Sequence, residues 1–298
     1  MGRLEGLRGA APSPLLRKRS RIRTVHGSAA IEGNPLSAAQ VTAVLEGKRV
    51  AASPSDLREV LNANAAYERA GGFRPWSVPS MLEAHRLLMG GLLSDAGRWP
   101  TTAVGVLSGT RVRHLAPPAW RVDALVRSLL GWARATVEPR AVVAAVVHYE
   151  LLFIHPFTDG NGRLARLWQH VILTAASPVF GFVPVESIIR ERQRQYYRVL
   201  AACDRAGDST AFVELMVDAL GDAVESIAAD YRPGRGDAPD RVAVARAQFA
   251  RRWFSRAEYL ALHRGISAVT ASRDLAAATR DRRVERRGDK RLARYRFR

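Results

Sequence analysis

The stretch that most limits what this chain can fold into is His155-Pro156-Phe157-Thr158-Asp159-Gly160-Asn161-Gly162-Arg163, with Arg166 one helical turn further on. An apolar segment runs into it and an amphipathic one leaves it, while glycines, an asparagine and an aspartate sit between them. That order spells a helix, a tight turn and a new helix N-terminus, so the surrounding chain has to supply helices that hold the turn. Glycine at 160 and 162 lets backbone N–H groups approach a ligand closely. The helix start that follows adds partial positive charge, which makes the turn an anion cradle. Arg163 and Arg166 add forked cations matched to phosphate oxygens. Asp159 offers a hard oxygen of the kind Mg²⁺ prefers beside substrate phosphates. His155 carries the side chain whose ordinary pKa suits a general base near neutrality. A base, a metal ligand and a phosphate cradle in one turn imply phosphoryl or nucleotidyl chemistry.

The pattern His-Pro-Phe-x-Asp-Gly-Asn-Gly-Arg-x-x-Arg over residues 155–166 resembles the signature of Fic domain proteins, with every fixed position filled. The resemblance implies a mainly α fold, a Fic-type helical core carrying a β-hairpin flap. It implies a protein adenylyltransferase that moves AMP from ATP, with Mg²⁺, onto a hydroxyl side chain of a target protein or of itself. His155 would then be the base and Asp159 the Mg²⁺ ligand, with Gly160, Asn161, Gly162, Arg163, Leu164 and Arg166 around the nucleotide. Upstream, Ser28-x-x-x-Glu32-Gly33 resembles the inhibitory-helix motif of the same family. There the resemblance implies that Glu32 pairs with Arg166 and obstructs the ATP γ-phosphate. The residues alone leave Glu32 open as an ordinary helix-end residue. The pair Tyr196-Tyr197 is similar to a Fic pattern that puts Tyr197 near the nucleotide base, with Asp204 two turns on as a further candidate. For Tyr197, half-buried packing stays open as the other reading.

The rest of the chain reads as a succession of helices. Residues 18–30 form one that stops at Glu32-Gly33-Asn34-Pro35, where glycine and then proline end it. Ser37 and Ser53 are N-caps for the next two, and residues 77–93 make a further helix with His85 on its apolar face, where a satisfied core histidine is the expectation. Residues 98–118 change character: Thr101, Val104, Val106 and Val112 flank Ser108-Gly109-Thr110, a hairpin at the position of a Fic flap. Helices follow over 122–137, 140–153 and 164–176, with His148 packed internally. One long helix is expected over 188–206 and another over 210–231.

A linker over 232–239 introduces a different composition. From Pro239 onward there are 17 Lys and Arg against 6 Asp and Glu, so +11 of the chain's +18 sits in its last fifth. Helix, helix capped by Ser255, turn, helix capped by Ser267, and an alternating hairpin about Gly288-Asp289 is a winged helix-turn-helix order over 240–298. In it Arg273 lies early in the recognition helix, and Arg286, Arg287, Lys290 and Arg291 form the wing, all expected DNA contacts. A solvated basic face used for protein contacts or for a homodimer is the other reading. The domain division is therefore 1–35 for tail and inhibitory helix, 36–231 for the core, and 240–298 for the appendage.

Hydrophobic content of 47 % with a mean hydropathy of -0.13 suits a globular chain, and no apolar run is long enough to span a bilayer. The basic cluster at 17–23 is followed by no apolar stretch, so a secretory leader is not expected and a cytoplasmic location follows by elimination, with no membrane partner. The single cysteine, Cys203, excludes an internal disulfide and reads as a helix-face residue. Beside the adenylyltransferase reading, a DNA-binding regulator with the core as nucleotide sensor and a de-AMPylating or other phosphoryl-transferring enzyme stay open.

Overall fold

The computed structural model describes residues 14–102, 105–108, 111–115, 117–230, 238–263, 266–289 and 292–298. It divides into two compact units, Ser20–Val224 and a second containing Glu225–Arg298 with the chain through Arg19. The expected tail, most of the 232–239 linker, and Lys290 and Arg291 fall wholly or largely outside the described residues.

The larger unit is mainly α. Helix α1 spans Pro14–Ile31, α2 Ala38–Leu45, α3 Pro54–Glu68 and α4 Val78–Met89. Ser37 opens α2 with a reciprocal capping box to Gln40, and the Ser53 and Ser77 hydroxyls cap α3 and α4, satisfying backbone donors that would otherwise be orphaned. Helix α1 ends in a glycine motif: Asn34 N–H bonds the Ala29 carbonyl at 3.1 Å and Gly33 N–H that of Ala30 at 3.1 Å, with Gly33 at φ +94°. It is no loose appendage past Ser20. Val25 and Ala29 are fully buried with Leu36, Val41, Val60 and Ala63 in one apolar cluster. The helix expected over 77–93 stops at Met89, because Gly90 and the left-handed Gly91 (φ +72°) follow.

A hairpin comes next, β1 (Gly105–Ser108) against β2 (Arg111–Leu115), antiparallel with a register irregularity between Val106 and Leu107. Residues 103–104, 109–110 and 116 of the expected flap lie outside the described residues. Helices α5 (Ala119–Ala135), α6 (Arg140–Ile154) and α7 (Asn161–Ala176) follow. The pair α6 and α7 forms the centre, because α6 is apolar on most faces and α7 is buried along most of its length. Val143, Val147 and Leu151 on α6 and Leu164, Leu167, Trp168 and Ile172 on α7 are all buried. His148 is fully buried as expected, sharing its ring nitrogens with Gln169 Oε1 (2.6 Å) and the Tyr196 hydroxyl (3.0 Å).

The single helix expected over 188–206 is two, α8 (Val185–Glu191) and α9 (Gln193–Ala206). The break falls at Arg192, which leaves helical geometry at φ -102°, ψ 21° while its guanidinium pairs with Asp222. Cys203 is buried on α9. Helix α10 spans Thr210–Asp230.

In the second unit, α11 (Ala238–Phe249) is followed by the short strand β3 (Phe254–Ser255), α12 (Arg256–Leu262), α13 (Ala268–Arg280), β4 (Val284–Arg287) and β5 (Arg294–Phe297). The strands form one antiparallel sheet in the order β3-β5-β4, with Phe254 opposite Tyr295 and Val284 opposite Phe297. A core of its own joins Phe249, Phe254, Tyr259, Leu275 and Phe297. No helix among the described residues is long and apolar enough to cross a membrane.

Candidate active site

The turn between α6 and α7 is built to be rigid. His155 ends α6 in the left-handed region (φ 50°, ψ 59°), an uncommon position for a side-chain-bearing residue and one that redirects the chain at once. Phe157 behind it is fully buried and stacks on His85 with ring centroids 3.6 Å apart. Gly97 N–H donates to His85 Nδ1 at 2.9 Å, so the ring proton sits on Nε2 and is donated to the Asp159 carbonyl, also at 2.9 Å. Burial pushes this imidazole down to about 4, which keeps it in that neutral tautomer. His85 is thus the core histidine expected, and it also fixes the signature loop, a role no sequence spacing announces.

Gly160 (φ +79°) has no room for a side chain: a Cβ would stand 2.6 Å from Met89 Sδ. Asn161 turns its amide inward and clamps Phe157, accepting from its N–H at 2.9 Å and donating to its carbonyl at 2.7 Å. Asp159 Oδ1 accepts from Gly160 N–H at 2.6 Å, and its carboxylate also pairs with Arg163 at 3.3 Å. Arg163 is nearly buried and is held chiefly by Glu59 of α3 at 2.7 Å. The second Glu59 oxygen accepts from Asn34 Nδ2 at 2.8 Å. One carboxylate therefore ties the chain just after α1 to the signature. Glu59 sits between Leu57 and Val60 in a helix and reads in sequence as part of a solvated face, so nothing in the pattern could have singled it out.

An open cleft of about 730 Å³ lies over the start of α7 and is lined by Glu32, His155, Gly162, Arg166, Tyr197 and Asp204, among others. Here residues more than a hundred positions apart come together. Arg166 is fully buried and donates to Glu32 Oε1 at 2.7 Å and to the Ser28 carbonyl at 3.3 Å. Burial opposes its charge most strongly, but the Glu32 carboxylate, together with Tyr196 and Tyr67 beside it, offsets this and holds the guanidinium above its ordinary range. A Cβ on Gly162 would stand 2.6 Å from Glu32 Oε1. Glu32 therefore rests directly on the first turn of α7, where the helix dipole and the glycine backbone favour a negative charge. Gln193 Nε2 donates to the Ile31 carbonyl at 2.9 Å, and the Tyr197 hydroxyl reaches the same oxygen at 3.4 Å, so both hold the end of α1. Asp204 accepts from the Tyr149 hydroxyl at 3.0 Å.

Two residues grouped with the nucleotide ligands in sequence stand differently. Leu164 is fully buried in the core and its N–H is bonded to the Gly160 carbonyl at 2.9 Å, as a first-turn helical residue requires. The Asn161 amide is turned onto Phe157, with one bond accepted by its oxygen and one donated by its nitrogen. Ser28 enters through its carbonyl, and Gly33 through the turn that ends α1.

Asp159 is the carboxylate of the signature turn, its side chain 63 % accessible beside a helix N-terminus. Among the described residues no group of three or more His, Cys, Asp or Glu is arranged to hold a metal. A single carboxylate completed by phosphate oxygens and water fits Mg²⁺, and would not fit a structural zinc.

A helical core whose central helix pair presents a histidine, an aspartate and a glycine-lined helix start through one turn defines a class, and comparison with known proteins names it. Residues 75–173 match the Fic/DOC family. The crystal structure of a Fic family protein from Desulfovibrio desulfuricans G20 superposes with a TM-score of 0.71 at 39% identity, covering 99% of this chain and 90% of that one. This chain belongs to the Fic family. It is also 30% identical over 221 residues to the protein adenylyltransferase Fic of Nematostella vectensis, and 34% identical over 202 residues to protein adenylyltransferase fic-1 of Caenorhabditis elegans. Those matches take in 70% and 63% of this chain but 49% and 37% of the relatives, so the chain spans about half or less of their length.

Proposed function

We propose that this chain is a protein adenylyltransferase that transfers AMP from ATP to a Ser, Thr or Tyr hydroxyl of a target protein or of itself, and that Glu32 holds it off. The observation that carries this reading is the Arg166–Glu32 pair at 2.7 Å, seated on Gly162 at the start of α7. The same guanidinium and the same helix end are what a nucleotide's terminal phosphates need.

In the forward step His155 takes the proton from the target hydroxyl as that oxygen bonds to the α-phosphorus. The bond from the α-phosphorus to the bridging oxygen breaks, and pyrophosphate leaves with the electron pair. The backbone at Gly160 and Gly162 and the first turn of α7 orient and neutralise the phosphates. Asp159 would hold Mg²⁺, which supplies charge neutralisation of the phosphates when bound. Arg163, already engaged by Glu59, positions Asp159, and Arg166 receives the terminal phosphates once Glu32 has gone. Tyr197 and Asp204, on the α9 side of the cleft, are placed to border the base. The hairpin β1–β2 is the flap that aligns an extended target segment by main-chain pairing. The second unit, three helices and a three-stranded sheet around its own core, is read as a winged helix-turn-helix.

Intact-mass spectrometry of the purified protein with ATP and Mg²⁺ tests the reading. Glu32→Gly is expected to gain the mass of one or more AMP groups, and His155→Ala in the same background to gain none. Transfer that persists without His155 removes it as the base.

A further inference from the structure

We infer that the C-terminal unit binds duplex DNA, with α13 entering the major groove and the turn after it gripping phosphates. The inference rests on the winged-helix reading of that unit and not on the enzymatic one. Helix α13 reads Ala-Val-Thr-Ala-Ser-Arg-Asp-Leu-Ala-Ala-Ala-Thr-Arg, and its one acidic residue, Asp274, is buried. Arg241 of α11 grips the Asp274 carboxylate in a fork, at 2.6 and 2.9 Å, and the Tyr259 hydroxyl of α12 donates to it at 3.2 Å. The negative charge is thus turned inward and neutralised, and the same contact fastens α13 to both neighbouring helices.

What α13 shows outward is Val269, Arg273, Ala276 and Arg280, all exposed and spaced at i, i+4, i+7 and i+11 on one face. Arginine early in the helix suits guanine, an exposed valine suits a thymine methyl, and alanine between the arginines lets the helix approach the groove floor. Val269 is 67% exposed, a large apolar group in a cationic surround, which duplex DNA can cover in this way.

The cations also sort themselves by pairing. Arg252 and Arg294 are paired with Glu258, Arg286 with Asp289, and Arg296 with Glu285. Arg273, Arg280, Arg282, Arg283 and Arg287 around α13 and β4 are exposed and form no salt bridge among the described residues, as are Arg246 and Arg251 further off. The phosphate contacts are therefore assigned to Arg282 and Arg283 in the turn between α13 and β4, and on the wing to Arg287 rather than Arg286. Backbone geometry marks the same place. Arg282 N–H bonds the Thr279 carbonyl at 3.1 Å and Arg283 N–H that of Ala278 at 3.0 Å, with Arg282 at φ 56° where glycine is the usual occupant. A strained arginine, exposed and unpaired, at the exit of an outward-facing cationic helix points to an anionic partner met at that spot.

The test uses the full-length protein and a fluorescein-labelled random duplex of about 30 base pairs, read by anisotropy from roughly 50 to 200 mM salt. Parent protein is expected to bind with an affinity that falls linearly in log salt. The triple change Arg273→Gln, Arg282→Gly, Arg283→Gln should weaken binding at least about tenfold at low salt and reduce the slope by roughly 2, since Arg282 and Arg283 are the phosphate contacts and each lost contact removes about 0.9. Because Arg282→Gly relieves a left-handed residue, the variant should melt no lower than the parent, which separates lost contacts from lost folding. Self-adenylylation in the Glu32→Gly background should be unaffected by the triple change, so a failed transfer assay and a failed DNA assay are distinct outcomes. Unchanged affinity in the triple variant overturns the proposal. So does competition by single-stranded RNA or polyglutamate as effective as by duplex DNA, which would make the partner an RNA or an acidic protein.

Discussion

Removing Glu32 is expected to raise activity and lower stability together. Arg166 is 1% exposed at its side chain and Glu32 28%, so the pair is largely withdrawn from water. Deleting one partner of a buried pair leaves an uncompensated charge, which typically costs 3–5 kcal/mol; with Glu32 partly wet, about 2–3 kcal/mol is expected for Glu32→Gly. The Ser28 carbonyl, still 3.3 Å from Arg166, sets that lower figure. For a domain of roughly 150–250 residues each kcal/mol moves Tm by about 2–4 °C, so the ATP-free variant should melt about 4–12 °C below the parent. ATP should reverse this, because its phosphates meet the vacated guanidinium. A ligand at a hundredfold excess over Kd contributes about 2.7 kcal/mol, enough to restore most of the loss. Thermal melts with and without ATP and Mg²⁺, run beside a self-modification assay, read both arms. Glu32→Gln keeps shape and one hydrogen bond and should fall between. If Glu32→Gly melts like the parent and ATP shifts both equally, carboxylate and nucleotide do not compete for Arg166.

Two further outcomes concern the seat of α1. A Cβ on Gly27 would stand 2.7 Å from the Glu186 backbone carbon and oxygen, so Gly27→Ala has to push α1 away from α8. Raised self-modification with Glu32 still present is expected, and a variant no more active than the parent would mean that α1 docks independently of that contact. Glu186 itself is buried, accepts from the Tyr67 hydroxyl at 2.9 Å, and burial lifts its carboxyl to about 7. A raised carboxyl pKa lowers stability as pH rises from the unfolded value near 4.5 through 7, so Glu186→Gln should stabilise the protein by up to about 3 kcal/mol at pH 8 and by almost nothing at pH 4.5; equal effects at both pH values in urea titrations would refute it. Burial holds His85 and His170 down to about 4 and His148 to about 3, so these groups contribute stability above pH 6.5 that is lost as pH falls toward 4. Three histidines outweigh one glutamate acting in the opposite sense, and the net expectation is a loss of stability on acidification over that window.

The signature was legible in sequence because its chemistry is local: glycines, a helix start and the charged residues beside them determine one turn within twelve positions. The caps were legible for the same reason, and Ser37, Ser53, Ser255 and Ser267 all accept the expected backbone hydrogen bond. Where a residue's role depends on tertiary approach, local pattern said nothing. Glu59 reads as a surface glutamate until Asn34 and Arg163 arrive on either side of it. The strand Phe254–Ser255 is too short to carry a period and exists only because Tyr295 and Arg294 lie opposite. The break at Arg192 interrupts an unbroken amphipathic pattern, and the left-handed Arg282 stands where composition would ask for glycine.

How Glu32 leaves follows from what surrounds it. Undocking α1 as a body would expose Val25, Ala29 and Ile31, all 3% exposed or less, and would break the apolar cluster that Val25 and Ala29 share with α2 and α3. At about 1.5–3 kcal/mol for each large apolar side chain, that route costs more than a nucleotide's phosphates return. The Asn34–Glu59–Arg163 chain fastens the peptide just beyond Glu32 as well. Glu32 itself lies between these two anchors, beside Gly33 in a conformation glycine adopts freely. Side-chain rotation at Glu32, with at most a local adjustment at Gly33, frees Arg166 while leaving both anchors intact. Activation by ATP or a target should therefore leave amide exchange in the middle of α1, around Val25, unchanged and raise it only at the residues flanking Glu32. Exchange that rises along the whole helix would instead mean that the core opens with the switch.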